Sequence, residues 1–361
     1  MIYPRVYIIA EAGVNHNGDK KMAFQLVDAA VKAGADAVKF QTFVAENIVT
    51  KSADKAEYQK QTTDGSESQF EMLKRLELSY DLHYELIKYC QEKKIEFLST
   101  AFDIESLDFL VNQLKLKTLK ISSGEITNGP LLLAHAETGC DIILSTGMST
   151  LLEVKDALGV LAFGLLNSNK YKPSKTNFQR AYLSTEGQKL LKEKVTILHC
   201  TTEYPAPLQD INLNAMITMR STFDLKVGYS DHSEGITVPI AATAIGAILI
   251  EKHFTLDKAL PGPDHKASLD PGELSTMVKA IRNVEKIMGS GTKGPMSSEL
   301  KNKSVARKSL IAAKDIKKGE NFTEDNMTTK RPGTGISPMK YWHMIGKVAQ
   351  NDIPRDVVIK S

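Results

Sequence analysis

The stretch AILIEKHFTL, residues 247–256, opens as a buried strand and closes as something else. Ala247 to Ile250 are apolar, whereas Glu251, Lys252 and His253 are an acid, a base and an imidazole in succession. Side chains alternate between the two faces of a strand. Glu251 and His253 therefore share one side, and Lys252 and Phe254 share the other. A strand that reaches the surface would end this way. So would one that delivers its last residues to an active site.

Working outward, seven more apolar runs precede it: VYIIA (6–10), AVKFQ (37–41), EFLST (96–100), TLKIS (118–122), DIILS (141–145), VTILHC (195–200) and KVGYS (226–230). Amphipathic segments separate them. KKMAFQLVDAAVKAG reads as a helix stopped by Gly34, and DLHYELIKYCQEKK as one with Asp81 as its cap. Thr150 followed by Glu153 is a capping box for the helix after the fifth strand. Strands alternating with helices give an α/β fold, and a count of eight favours a closed (β/α)₈ TIM barrel over a doubly wound open sheet.

The segment 163–194 is too long for an ordinary return to the next strand and reads as an insertion on the barrel's outside, with room for a short helix. The barrel is expected over 1–289, and the Gly-, Ser- and Lys-rich stretch 290–303 as a linker. A second unit of about 60 residues, 304–361, has short strands, and a domain that small has a marginal core.

Composition excludes several classes. A net charge of +3 leaves no polyanion footprint, so no nucleic-acid partner is expected. The apolar stretch 238–250 is too short to span a bilayer and holds Pro239, so no membrane partner is expected. MIYPRVYIIAEAG lacks the form of a signal peptide. Three scattered cysteines, Cys90, Cys140 and Cys200, give neither a disulfide framework nor zinc spacing. Together these point to a cytoplasmic location.

Polar residues gather at the C-terminal end of every run: Glu11; Lys39 and Gln41; Thr100; Lys120, Ser122, Ser123 and Glu125; Ser145; His199, Thr201 and Thr202; Ser230, Asp231 and His232; Glu251 and His253. In a barrel these ends converge on the face that carries the chemistry. Lys39 and Lys120 lie within their strands, so each must face a ligand or pair with a buried acid such as Glu11 or Glu125. Two lysines among hydroxyls suit a phosphate or carboxylate. His232 and His253 end adjacent strands, and two neutral imidazoles with oxygen ligands suit a divalent cation of the manganese type. His16 in NHNG and His265 in GPDHK lie nearby in sequence. The turns EAGVNHNG, SSGE and STGM free backbone amides that can hold phosphate. These features favour a metal-assisted barrel enzyme for an anionic, phosphorylated small molecule. The competing class is a non-enzymatic carbohydrate- or surface-binding protein built around the second unit.

In order along the chain, IIAEAGVNHNGD, AVKFQTF, FLSTAFD, KISSGE, ILSTGMS, LHCTTEYPAP, GYSDH and EKHFTLDKALPGPDHKASLDP resemble the sialic-acid (nonulosonic acid) synthase family. KRPGTGIS resembles the signature loop of that family's C-terminal antifreeze-like (SAF, β-clip type) module. The resemblance implies a transferase that forms a carbon–carbon bond between phosphoenolpyruvate and an N-acetylated mannose-type sugar. It implies phosphoenolpyruvate bound by Lys39, Thr100, Lys120, Ser123, Ser145 and Ser230, and sugar contacts from Gln41, Glu125, Thr202, Tyr204 and Asp264. It implies Glu11 as catalytic acid/base and a divalent metal, manganese with magnesium or cobalt as alternatives, on His232 and His253. Arg331 matches an arginine that reaches across a domain-swapped homodimer toward the sugar.

N-acetylneuraminate synthases commonly carry Asn and an apolar residue where this chain has Thr202 and Glu203. TTEYPAP and KRPGTGIS look more like synthases of N,N′-diacetyllegionaminate. Their sugar, 2,4-diacetamido-2,4,6-trideoxymannose, has an added amide N–H that Thr202 or Glu203 could accept. N-acetylmannosamine is the alternative substrate, and the pseudaminate branch ranks third.

Overall fold

All eight apolar runs form strands. The computed structural model describes residues 5–63, 66–166 and 171–360. Among them, β1 (Tyr7–Gly13), β2 (Ala37–Thr42), β3 (Glu96–Ala101), β4 (Thr118–Ile121), β5 (Asp141–Ser145), β6 (Val195–His199), β7 (Lys226–Asp231) and β8 (Leu249–His253) are parallel and follow one another in chain order. β8 pairs back onto β1, which closes the barrel and excludes the open sheet. β1 runs past the expected Ala10 to Gly13, with its register against β2 shifting between Glu11 and Gly13.

Strand alternation sorts the core into two layers. Outward residues such as Ile8, Phe40, Phe97, Leu119, Ile197 and Ile250 pack under the helices. Inward, Ile9, Ala37, Leu98, Ile143, Leu198 and Leu249 form a separate apolar plug inside the barrel.

The helices begin and end where local chemistry allows. Lys20–Ala33 is capped by Asp19, whose carboxylate accepts from Met22 N, and it stops at Gly34 in the left-handed region, φ 83°. Tyr80–Lys93 starts one residue before the expected cap: Ser79, not Asp81, accepts from Leu82 N. Thr150 and Glu153 form their reciprocal box at the start of Leu151–Leu165.

The insertion holds two helices, Lys175–Leu183 and Thr185–Lys194, where one short helix was expected; its residues 167–170 lie outside the described ones. Ser184 separates the two and caps the second. Phe178 meets Phe163 edge to face at 5.3 Å, which fastens the first insertion helix to Leu151–Leu165.

The chain divides into two compact units, the first reaching Ser290 and the second starting at Gly291. Within the second, helix Ser297–Ala306 occupies part of the stretch expected as a linker, and none of its residues is buried. β9 (Ser309–Ala312) and β10 (Met327–Lys330) pair antiparallel over a small core of Leu310, Ala312, Ile316, Phe322, Met327, Ala349 and Ile359. No helix among the described residues is long and apolar enough to cross a membrane.

Candidate active site

Two residues beyond the apolar plug, the barrel interior changes character. Ile9 gives way to Glu11, Ala37 to Lys39, Leu98 to Thr100, Ile143 to Ser145, Leu198 to Cys200 and Leu249 to Glu251. Every one of these polar side chains is buried, as are Lys120, Ser230, His232 and His253. Register makes neighbours of them: Glu11 lies opposite both Lys39 and His253, Thr100 opposite Lys120, and Ser230 opposite Glu251.

The two interior lysines share two acids. Lys39 Nζ lies 2.7 Å from Glu11 Oε2 and 3.6 Å from Glu251 Oε2, and donates to Thr100 Oγ1 at 2.9 Å. Lys120 Nζ lies 3.4 Å from Glu251 Oε1, which also accepts from Ser230 Oγ at 2.9 Å. Glu125, the other acid considered as a lysine partner, instead accepts from Asn128 Nδ2 at 2.7 Å.

The two carboxyls are driven apart. Burial pushes Glu11 up to about 7, against the pull of Lys39 and with the push of Glu251. Burial also opposes ionisation of Glu251, but Lys120, Lys39 and the Ser230 hydroxyl outweigh it and hold that carboxyl below its ordinary range. Burial lowers Lys120; for Lys39 the same penalty is outweighed by Glu11 and Glu251, and its pKa rises. The mouth thus holds one carboxyl favoured as the anion, one whose proton burial helps to retain, and two lysines beside them.

His232 and His253 face each other with ring centroids 5.6 Å apart. His232 Nδ1 meets the Thr201 carbonyl at 2.6 Å; a carbonyl only accepts, so that nitrogen carries the proton and Nε2 presents its lone pair. The Tyr204 hydroxyl donates to Nε2 at 3.0 Å, with its ring stacked on the imidazole at 4.2 Å. His253 Nδ1 is buried with no hydrogen-bond partner among the described residues and lies 3.6 Å from Asp264 Oδ2. Burial holds His232 down at about 4 and His253 well below its ordinary value, so both are neutral, while it raises Asp264 to about 6.

These residues fit a divalent cation. One imidazole has its lone pair oriented by a carbonyl at the far nitrogen, the arrangement that outer-shell groups give metal-binding histidines. The other has a buried orphan nitrogen facing a carboxylate. Among the described residues no group of three or more His, Cys, Asp or Glu could hold a metal ion, so His232 and His253 would be the ligands of this kind that the chain supplies.

The hydroxyls divide into two sets. Ser145 Oγ is buried with no hydrogen-bond partner among the described residues. Ser123 Oγ accepts from Gly147 N–H at 3.0 Å and sits 3.0 Å from Cys200 Sγ. A side chain on Gly147 would begin 2.2 Å from Thr202 Oγ1 and 2.8 Å from Ser123 Oγ. Thr202, expected among the sugar contacts, therefore lies beside the serine expected to hold phosphoenolpyruvate. Gln41 is half-buried opposite Thr100 on β2. Arg331 belongs to the second unit, exposed, with Nε donating to Ala306 O at 3.1 Å.

Three strand-end residues take other roles. His199 Nε2 bonds Ile211 O at 2.8 Å, and Asp231 and Lys252 pair with each other behind the barrel wall. Cys200, whose thiol touches Ser123, joins the mouth from outside the expected set; the period-2 alternation from Leu198 is the signal that marks it. A cleft of about 560 Å³ against helices Leu151–Leu165 and Lys175–Leu183 is lined by none of the candidate residues.

Comparison with known proteins agrees with the fold. The NeuB family pattern matches residues 26–293 and the SAF domain pattern residues 307–360. The N,N′-diacetyllegionaminic acid synthase of Campylobacter jejuni is 49% identical over 357 residues, 99% of each chain. That of Legionella pneumophila is 47% identical over 340 residues, covering 94% of this chain and 89% of the relative. The crystal structure of N-acetylneuraminic acid synthetase from Leptospira borgpetersenii, in complex with citrate, superposes with TM-score 0.66 at 33% identity, over 82% of this chain and 90% of that one. The NeuB pattern over most of the barrel, the SAF pattern after it and the identity to these relatives over nearly the whole chain place this chain in the NeuB family.

Proposed function

We propose that this protein condenses phosphoenolpyruvate with 2,4-diacetamido-2,4,6-trideoxymannose, giving N,N′-diacetyllegionaminate and inorganic phosphate. The observation that carries the reading is the pairing of Lys39 and Lys120 with Glu11 and Glu251 in the closed barrel mouth. The identity to two N,N′-diacetyllegionaminic acid synthases over nearly the whole chain supports the choice of sugar.

Lys39, Lys120 and the hydroxyls of Thr100, Ser123, Ser145 and Ser230 bind the phosphate and carboxylate of phosphoenolpyruvate. In this water-poor site their attraction is far stronger than in bulk water. His232 and His253 would hold a divalent metal, manganese first, which when bound supplies Lewis-acid polarisation of the sugar's aldehyde oxygen. The methylene carbon of phosphoenolpyruvate attacks the aldehyde carbon, and the aldehyde oxygen becomes a hydroxyl by taking up a proton. Positive charge is left on the carbon bearing phosphate. Water adds there and loses a proton, for which Glu11, with its pKa near neutrality, is the acceptor. The carbon–oxygen bond to phosphate then breaks as the added hydroxyl gives up its remaining proton, leaving the 2-keto acid and inorganic phosphate; the two protons released by the water balance those taken up by the aldehyde oxygen and by the phosphate. Gln41, Glu125, Thr202, Tyr204 and Asp264 orient the sugar. Arg331 is contributed by a partner in a domain-swapped homodimer.

The test is phosphate release from phosphoenolpyruvate, with and without manganese, offering the diacetamido sugar, its pseudaminate-type isomer and N-acetylmannosamine in turn. Release is expected with the diacetamido sugar. A site built to pair a substrate's polar groups rejects a mismatch by about 10⁴-fold or more, so the sugars will separate clearly. Release only with N-acetylmannosamine would move the assignment to sialic acid, and none with any sugar would favour a binding protein. Size exclusion of Arg331→Ala tests the dimer: an inactive dimer is expected, and full turnover refutes the reach across the interface.

A further inference from the structure

We propose that the ion pair between Asp231 and Lys252, buried behind the barrel wall, is the device that sets the separation of His232 and His253. The inference rests on the metal reading of those two histidines. Each member of the pair immediately precedes one of them in the chain. Asp231 and Lys252 are register partners across β7 and β8, and both side chains are 0% exposed. Because strand side chains alternate, fixing these two on the outer face turns their neighbours His232 and His253 inward.

Both members of the pair are hydrogen-bonded on more than one side. Lys252 Nζ lies 2.6 Å from Asp231 Oδ2 and donates also to the Ser233 carbonyl. Asp231 Oδ1 accepts from Ser233 N at 3.0 Å and from Ser233 Oγ at 2.8 Å. These bonds fold the residues on either side of His232 onto the end of β8. Desolvating two ions costs several kcal/mol each, and an apolar pair of similar volume often packs as well or better. Stability is therefore a poor reason for this arrangement. Geometry is a better one: an apolar pair could slide, whereas this pair and its Ser233 bonds hold one register at the point where β7 passes into its loop. Neither residue is expected to touch substrate, so both are positioning residues.

The double variant Asp231→Leu/Lys252→Met removes the charges and keeps the volume. We expect its melting temperature to be unchanged or raised. Its affinity for Mn²⁺, read from the electron paramagnetic resonance of the free ion, should fall about 10–100-fold, as when outer-shell partners of metal ligands are lost. Wild-type affinity in that folded variant overturns the proposal. If it does not fold, Ser233→Ala, which keeps the pair and removes one donor to Asp231, should show a smaller loss in the same direction; no loss there overturns it equally. The His232→Ala variant is the control for the metal site. If the wild type binds no Mn²⁺, the metal reading alone fails. A crystal structure of the double or the Ser233→Ala variant then decides: a ring separation away from 5.6 Å supports positioning, and an unchanged one refutes it.

Discussion

At the scale of single residues, the mouth works by dividing labour between two acids of one chemical type. Glu251 is held ionised by Lys39, Lys120 and Ser230, whereas Glu11 is pushed toward neutrality by burial. Glu11→Gln preserves shape and removes only the titrating oxygen. It should bind phosphoenolpyruvate with little change, measured by calorimetry, and lose about 10²–10⁴-fold in turnover, measured by phosphate release. Gly147→Ala tests the hydroxyl cradle, because the new methyl would begin 2.2 Å from Thr202 Oγ1. Such overpacking costs about 1–3 kcal/mol; a raised KM for phosphoenolpyruvate and a lower unfolding midpoint in urea are expected together. The positions of Glu11, Lys39 and His253 were legible because ionisable residues within or directly after short apolar runs are uncommon and alternation gives their side. The sharing of Glu251 by two lysines was not legible: it depends on strands 2, 4 and 8 meeting across the barrel, which sequence spacing does not encode.

At the scale of elements, the strands were legible because each is a short apolar run ending in polar residues. The helix starts were less so. Both Ser79 and Asp81 are cap-type residues, and the choice turned on a backbone that bends at Ser79, φ −62° and ψ 149°. Ser79→Ala should cost about 1 kcal/mol in urea unfolding, and Asp81→Ala less, since its charge only favours the helix's first turn. Equal losses would mean that Asp81 shares the capping. Helix Ser297–Ala306 was missed because it buries nothing, so no amphipathic pattern marks it. In the insertion, Ser184 ends one helix and starts the next, a division that polar composition alone does not reveal.

For the whole molecule, stability should depend on acid and on the small second core. His83 is fully buried between Thr42 Oγ1 and the Ser79 carbonyl, and His135 bonds the Leu131 carbonyl; burial lowers each to about 4. Their folded pKa values lie below the ordinary 6.5, so the unfolded chain binds more protons between the two values. The stability these two histidines contribute is therefore complete above pH 6.5, declines as pH falls from there, and stops declining below about 4. Each histidine contributes about 3 kcal/mol to that loss. Urea midpoints between pH 8 and 4 measure it, and His83→Gln should flatten the slope. In the second unit, Phe322 is a large part of a seven-residue core. Phe322→Ala should remove about 3–5 kcal/mol, most of what so small a unit has. Limited proteolysis should then cut within 291–361 while the first unit stays intact.

The alternation along β8 has a consequence for how such a protein changes over generations. Three consecutive codons specify Glu251 for the mouth, Lys252 for the pair behind the wall and His253 for the mouth again. The strand is in effect read twice, once from each face. Inserting or deleting one residue there would exchange the two readings and spoil both at once. Lineages that acquire new sugars should therefore keep β8 at fixed length and vary the loops, such as 201–204, where a substitution alters one reading only.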